Sequence, residues 1–436
     1  MRQILDLHIH SKYSRACSPN LALANIDLAC RTKGVDIIAT GDFTYPAWFE
    51  EINNELEEVD NTGLHVLKFS EKDKIDPVKS REAGATSSQF DRVKFILSTE
   101  LALIYKSGDK VRRIHLVVHA PNIEAVRELN GFLDKKYNIR SDGRPILGMS
   151  AMELFKLCLS IHPKFLIYPA HIWTPWFSVF GSKSGFDKLE ECFGEFTDRV
   201  FALETGLSSD PEMNWRVSAL DRLTILSNSD AHSLQNIGRE ANIFDLEQIT
   251  YDEIYEVIKK KDLNRIKGTI EFYPEEGMYH FDGHRDCKVV MSPQESRKAK
   301  GICPVCKKSL TIGVASRVEE LADRPEGAKP VNVSSFHKSV SLDKIIAEAL
   351  GIKSRSSKQV IVEYDKMINK FGNELDILLE IDLEEINKFS LPEIAEGIKR
   401  VRGGALSIKP GFDGQYGQIS IFIPNEPTAV KQSKLF

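Results

Sequence analysis

Nowhere does the sequence carry the roughly 18 apolar residues in a row that a membrane-spanning helix needs, and no basic-then-apolar leader precedes its first strand-like segment. The expectation is a cytoplasmic, nucleoid-associated chain with no membrane partner. Cysteine is scarce: seven in 436 residues, an odd and scattered set with one close pair, Cys303 and Cys306. That argues against a disulfide framework and for metal binding. A surplus of positive charge is also missing, since 58 Lys and Arg face 63 Asp and Glu for a net charge of −5. Any surface for nucleic acid therefore has to be local. The rest is ordinary for a globular protein, with 42% hydrophobic and 28% charged residues. The length predicts two or three domains.

Two distant stretches stand out, Asp6-Leu7-His8-Ile9-His10-Ser11 and Ser229-Asp230-Ala231-His232. Each sets two metal-competent side chains at i and i+2 in a segment that reads as a strand end. Alternate strand residues share a face, which puts each pair roughly 7 Å apart and pointing the same way. The intervening chain repeats the theme. Leu21 to Thr32 has helical spacing with Gly34 as its C-cap, and Val35 to Thr40 is a buried-strand pattern ending at Gly41-Asp42-Phe43. Later strand patterns run Val93 to Thr99 up to Glu100, Arg113 to Val118 through His115 towards His119, and Phe165 to Ala170 up to His171. Phe201 to Leu203 leads to Glu204, and Thr224 to Ser227 to Asp230 and His232. About seven strands with such endings predict a parallel α/β barrel whose ligands converge at the strand ends. Solitary histidines such as His65 and His162 are expected in the core or on the surface.

Imidazole and carboxylate without thiolate suit Zn²⁺, Mn²⁺ or Fe²⁺, and Mg²⁺ where carboxylates dominate. The candidate ligands are His8, His10, Asp42, Glu100, His115, His171, Glu204, Asp230 and His232, with His115 preferred to His119 because it lies within its strand. They are too many for one ion, since a catalytic zinc takes about three protein ligands. Two or three divalent metals are expected. Such clusters generate hydroxide at neutral pH and clamp both oxygens of a phosphoryl transfer, so the site reads as a phosphoesterase with Asp230, His232 and His171 at its catalytic centre.

These motifs, in this order over residues 1–270, resemble the polymerase-and-histidinol-phosphatase (PHP) superfamily. The resemblance implies a distorted seven-stranded, TIM-like barrel around two or three metals. The second motif departs from the superfamily's usual Asp-His, because Phe43 follows Asp42, and Asp42 is expected to serve as a ligand in its place. Longer stretches, Thr40 to Thr44, Glu204 to Pro211 and Ser227 to His232, are similar to the endonuclease Q family. That implies a repair enzyme nicking DNA 5′ to uracil, hypoxanthine, xanthine or an abasic site.

Composition shifts near Gly268. The predicted domains are 1–268 (barrel), 269–328 (zinc-binding), 329–426 (helical and DNA-binding) and 427–436 (a tail). His284-x-x-Cys287 and Cys303-x-x-Cys306 are knuckles of equal spacing, suited to one structural zinc, with His280 the alternative to His284. From Arg285 to Lys308 seven basic residues face two acidic ones, a local excess suited to a phosphate backbone. Arg285, Lys307 and Lys308 are the candidate contacts there. Arg400 and Arg402 join them, beside Gly403-Gly404 after a helix that Ser390-Leu391-Pro392-Glu393 is expected to open as a capping box. Trp173, Trp176 and Phe177 after His171 are the candidates to support an unstacked base in double- or single-stranded DNA, with Tyr45 and Trp48 second. Gln432 to Phe436 resembles a shortened sliding-clamp-binding peptide. A small-molecule phosphatase leaves the C-terminal 160 or so residues without a task, and a non-catalytic DNA-binding module leaves the ligand set unexplained.

Overall fold

The structure, a computed structural model, describes residues 1–68 and 92–422. The tail motif at Gln432–Phe436 lies outside the described residues.

In chain order the body contains strands β1 (Arg2–Asp6), β2 (Ile37–Ala39), β3 (Leu56–Glu58), β4 (Leu64–Leu67), β5 (Lys94–Ile96), β6 (Ser98–Ser107), β7 (Lys110–His119), β8 (Ile146–Leu147), β9 (Leu166–Pro169), β10 (Ala202–Glu204), β11 (Thr224–Leu226), β12 (Ala241–Asp245) and β13 (Ile266–Glu271). β14 (Asp282–His284) and β15 (Val289–Met291) form a hairpin, and β16 (Ser335–Lys338) returns to the body as the edge partner of β13. Among the described residues the hydrogen-bonded ladders are separate, not one continuous ring. An eight-stranded sheet has the order β16-β13-β12-β1-β2-β5-β4-β3, a four-stranded one β8-β6-β7-β9, and β10 pairs with β11.

The local rules explain most of this. The helix Leu23–Lys33 stops at Gly34, whose φ of 89° is left-handed and whose N–H returns to the Cys30 carbonyl. Asn122 caps Ile123–Lys136, and Ser150 with Glu153 closes a capping box on Ala151–Ile161. β1, β2 and β5 are parallel and buried, as continuous apolar runs require.

Two expectations are corrected. Glu100 does not end a parallel strand, because it lies within β6, which with β7 forms the arms of one long antiparallel hairpin that turns at Gly108 and Asp109, pairing Glu100 with Val117 and setting His115 inside β7 opposite Ala102. Ser390 does not open a helix either. Its hydroxyl donates back to the Ile386 carbonyl at the end of Leu383–Phe389, and the next helix, Pro392–Arg402, starts after Leu391 without a side-chain cap.

One large apolar core fills the body and includes Val314 and Val318 from the segment after the knuckles. A second core holds the helices Leu342–Ala349, Lys358–Phe371, Glu374–Leu379, Leu383–Phe389 and Pro392–Arg402, with Ile419 from the short strand Gln418–Ser420 and Ile421 just after it. Arg317 staples the knuckle segment to the body, its Nε and an Nη donating to the Phe180 and Phe186 carbonyls, each at 3.0 Å.

Candidate metal centre and nucleic-acid face

β1 feeds His8 and His10 onto one side of an extended segment that bridges Ala231 through Ile9. The Asp230 N–H donates to the His8 carbonyl at 2.9 Å, so the two opening motifs are hydrogen-bonded to each other. Asp6 locks the second motif in place by accepting from the Ser229 and Gly238 N–H groups, both at 3.0 Å, and burial pushes its pKa up to about 6.

His8, His10, Glu100 and Asp230 form one ligand-competent group, and Glu100, His115 and His171 form another. Glu100 belongs to both. Its Oε2 lies 3.2 Å from His10 Nε2 and 3.7 Å from His8 Nε2, while its Oε1 lies 2.7 Å from His115 Nδ1 and 3.1 Å from His171 Nε2. Asp230 Oδ1 sits 3.1 Å from His10 Nε2. His8 Nε2, His10 Nε2 and Asp230 Oδ1 are buried and have no hydrogen-bond partner. Three buried orphan atoms converging beside a carboxylate are costly unless a cation joins them, and the donor set suits a divalent transition metal.

Two of the sequence's candidate ligands stand one layer back. Asp42 Oδ1 is 3.0 Å from His10 Nδ1, while Oδ2 accepts from the Ser11 N–H, the Ser11 hydroxyl and the Ser14 hydroxyl at 2.7 to 2.8 Å. Glu204 Oε2 is 2.9 Å from His8 Nδ1 and accepts from Asn228 Nδ2 at 2.8 Å, and Oε1 takes the His171 N–H at 3.0 Å. Both carboxylates are spent on orienting histidines. His232 also stands aside: Nδ1 meets the Asp230 carbonyl at 2.8 Å and its ring packs edgewise on His10 at 4.7 Å. His115 joins the cluster, whereas His119 turns to the Tyr168 hydroxyl at 3.1 Å.

The fields follow from this packing. Burial alone would raise the Glu100 carboxyl, but His115, Arg144 and His8 hold it well below the usual range. Burial opposes protonation of His8 and His10 too. Glu204 and Glu100 for His8, and Asp42, Asp230 and Glu100 for His10, outweigh it and raise both imidazoles well above their ordinary value. His115 goes the other way, lowered by burial to about 4. Asp42, His171 and Asp230 adopt positive φ of 47°, 29° and 45°, a region uncommon for residues other than glycine but one in which Asp and His are over-represented. Gly206 makes room for it, since a Cβ there would stand 2.4 Å from the His171 Cβ.

Sequence reasoning missed Arg144, which donates to Glu100 Oε2 at 2.8 Å from the loop before β8, and Ser178, whose hydroxyl is 3.0 Å from His171 Nδ1. No local pattern marks either; only the fold brings them in.

His284, Cys287, Cys303 and Cys306 form a third group, with His284 Nδ1 3.4 Å from the Cys306 sulfur. Burial would raise the Cys303 thiol, but the backbone N–H groups of Cys306 and Val305 outweigh it and bring its pKa to about 7. His280 lies apart, buried against Phe281 with its own pKa lowered by burial to about 4.

The candidate DNA contacts divide. Arg285, Lys307 and Lys308 are exposed around the knuckles. Trp176 is 39% exposed and meets Tyr279 edge-on at 5.2 Å, and both rings line a cavity of about 220 Å³ with Thr174, Pro175, Met278 and His280. Trp173 is corrected, being fully buried with Nε1 on Asn214 Oδ1 at 2.8 Å, so it packs the core and cannot reach a base. Trp48 is likewise buried, and Tyr45 stacks on Tyr13. Arg402 spends its guanidinium on the carbonyls of Ile377, Leu378 and Ile381 at the end of a helix. Arg400 pairs with Glu396 at 3.0 Å and covers Phe422. Neither arginine offers the open fork a phosphate contact needs.

Comparison with known proteins fits this layout. Residues 341–405 match the family described as MJ0043 C-terminal domain, and residues 215–263 match the one described as PHP-associated. The uncharacterized protein MJ0043 of Methanocaldococcus jannaschii is 34% identical over 255 residues, 57% of this chain, which spans only 31% of that protein. The lesion-specific endonuclease PfuEndoQ from Pyrococcus furiosus superimposes with a TM-score of 0.82 at 30% identity over 99% of this chain and 98% of its own. Endonuclease Q in complex with a 27-mer duplex substrate, with an abasic lesion at the active site, gives 0.81 at 30% identity over 99% of each chain. With this similarity running from end to end, the chain belongs to the endonuclease Q family.

Proposed function

We propose that the protein is a metal-dependent DNA repair endonuclease that hydrolyses the phosphodiester 5′ to deaminated bases (uracil, hypoxanthine, xanthine) and abasic sites. The observation that carries this reading is Glu100, one carboxylate shared by two ligand groups through its two oxygens. The full-length likeness to an endonuclease bound to a lesion-bearing duplex supports the choice of DNA over a small ester. We read the separate sheets as the walls of a distorted seven-stranded barrel.

His8, His10, Glu100 and Asp230 would hold one divalent ion, and Glu100, His115 and His171 a second. Such a pair supplies Lewis acidity towards both oxygens of the displacement and acidifies water. Glu204 and Asp42 fix the faces of His8 and His10, and Ser178 that of His171. Arg144 holds the Glu100 carboxylate between the two ligand groups. His232 donates Nδ1–H to the Asp230 carbonyl, which leaves Nε2 with a lone pair at the rim to take a proton from the attacking water. The cavity that Trp176 and Tyr279 help to line adjoins His171 through Thr174, whose hydroxyl is 3.0 Å from His171 Nδ1, and it suits an extruded nucleotide. His284, Cys287, Cys303 and Cys306 would hold a structural zinc that presents Arg285, Lys307 and Lys308 to the duplex.

The test uses labelled duplexes carrying uracil, hypoxanthine, an abasic site or no lesion, with Mg²⁺, Mn²⁺ or Zn²⁺, and maps the nick. Cutting confined to lesion duplexes, and lost in Asp230→Asn while binding persists, is expected. Equal cutting of undamaged duplex would reduce the protein to a general nuclease.

A further inference from the structure

Between the short strands Ser407–Lys409 and Gln418–Ser420 runs the stretch Gly411-Phe412-Asp413-Gly414-Gln415-Tyr416-Gly417. Phe412 and Gln415 exchange two backbone hydrogen bonds, at 3.0 and 2.8 Å, around Asp413 and Gly414, whose φ of 42° and 80° make a tight Asp-Gly turn. Further backbone hydrogen bonds weld the stretch to residues 275–281. The N–H groups of Gly411, Gly414 and Gly417 donate to the carbonyls of Glu275, Met278 and Glu276 at 2.8, 3.0 and 3.0 Å, and the Gly411 carbonyl accepts from the Phe281 N–H at 2.9 Å. A side chain at Gly411 or Gly417 would collide with the carbonyls of Gly277 and Glu275. Phe412 turns inward, its ring lying where a Gly283 side chain would stand. Asp413 accepts from the Arg285 N–H and from the Thr311 hydroxyl, both at 2.7 Å. The stretch is thus fixed to the wall of the Trp176–Tyr279 cavity on one side and to the knuckles on the other.

Tyr416 does the opposite of Phe412. It is 78% exposed, more than any other aromatic ring among the described residues, and among them it has no ring, hydrogen-bond or ion-pair partner. Two residues before it, Gly414 lies against the Tyr279 hydroxyl and the Arg285 guanidinium. Towards the metal cluster, the Tyr416 hydroxyl is close enough to Arg239 to act on its charge, and the Arg239 Nε donates to the carbonyl of Ser229, beside Asp230, at 2.9 Å. A single exposed apolar residue is ordinary on a surface. A bare ring on backbone held this firmly, set among the cavity, the Asp230 loop and the basic knuckles, is a stacking surface whose ordering cost is already met. We propose that Tyr416 enters the duplex at the lesion and takes the stacking place that the extruded nucleotide vacates. This rests on the DNA endonuclease reading and deepens it. Extrusion breaks the lesion's stacking on both neighbours, and an aromatic ring restores part of that with any base sequence. Trp176 and Tyr279 would then receive the extruded nucleotide while Tyr416 keeps it from returning.

The experiment measures single-turnover cleavage by the full-length, metal-loaded protein of two duplexes that differ only around the lesion. In one, a uracil is paired opposite guanine; in the other, the same uracil lies in a short mismatched bubble and is already unstacked. Tyr416→Ala should slow cutting of the paired duplex about tenfold, the loss of one base stacked on one ring, and should slow cutting of the bubble far less. Tyr416→Phe should recover most of the rate, because the ring and not the hydroxyl stacks. A 2-aminopurine beside the uracil reads the contact directly: it should stay quenched when the wild type binds the paired duplex and brighten when Tyr416→Ala binds. Equal slowing of both duplexes, no slowing of either, or the same 2-aminopurine signal in both proteins overturns the proposal and leaves the endonuclease reading intact. A wild type that cuts neither duplex would instead remove that reading itself.

Discussion

Glu204→Gln separates a metal ligand from a residue that orients one. The carboxylate serves three donors: the His8 ring at 2.9 Å, Asn228 Nδ2 at 2.8 Å and the His171 N–H at 3.0 Å. A glutamine has one acceptor oxygen. If its amide nitrogen takes the Oε2 position it opposes both Asn228 and His8; if it takes the Oε1 position it opposes the His171 N–H. Either way at least one buried donor faces another donor, which costs about 1–3 kcal/mol, and His8 loses the charge that makes its ring a strong ligand. Loss of such an outer partner typically costs 10–100-fold in metal affinity, about 1.4–2.7 kcal/mol. The assay titrates metal-free protein with Mn²⁺ or Zn²⁺ against a competing chelator dye and counts bound ions by mass spectrometry at saturation. The weaker affinity should come with an unchanged count. If the count instead falls by one while the remaining ions bind as before, Glu204 is itself a ligand and the geometry has been misread.

Cys303→Ser should lower bound zinc by about one ion per chain and weaken duplex affinity; unchanged metal content would sink the knuckle assignment. Metal affinity at the cluster should rise with pH, because His8 and His10, whose pKa values are raised in the metal-free protein, must release protons to coordinate. Calorimetry in buffers of different ionisation enthalpy would show protons released on binding, and a buffer-independent heat would contradict this. Burial pushes the Glu271 carboxyl up to about 8 against the hydrogen bonds of Thr269, Thr205 and Ser227. The folded state therefore binds this proton more tightly than the unfolded chain, and stability should fall as pH rises from about 4.5 to about 8. Melting curves should show Glu271→Gln flattening that decline, and an identical pH profile would refute it.

The parts of the site that the sequence disclosed are those set by local periodicity. His8 and His10 share a side because they are two residues apart on extended chain, and Gly34 and Gly372 stop helices because their backbone turns left-handed there. The distinction between ligand and orienting residue was not legible. Asp42 and Glu204 sit at the ends of strand-like segments just as His8, His10 and His171 do, and only the direction from which His10 and His8 approach separates the roles. Trp173 and Trp176 are three residues apart in one aromatic stretch, yet one fills the core and the other borders a cavity. Arg402 ends a helix beside paired glycines, the setting of a phosphate contact, but the carbonyls of a neighbouring helix claimed it first.

The two ligand groups around Glu100 are not chemically equal. In the first, both histidines carry a carboxylate on the far nitrogen, Glu204 behind His8 and Asp42 behind His10, which makes the ring nitrogens stronger donors. In the second, His171 is backed by the hydroxyls of Ser178 and Thr174, and burial keeps His115 a weak base. Hydroxyls orient a ring without adding charge to it. The first group would thus keep an ion firmly, while the second would hold one more loosely on the side that opens towards Trp176 and the adjoining cavity. Asymmetry of that kind suits a phosphodiester displacement, in which one ion stays fixed with the protein and the other must adjust as the strand enters and leaves.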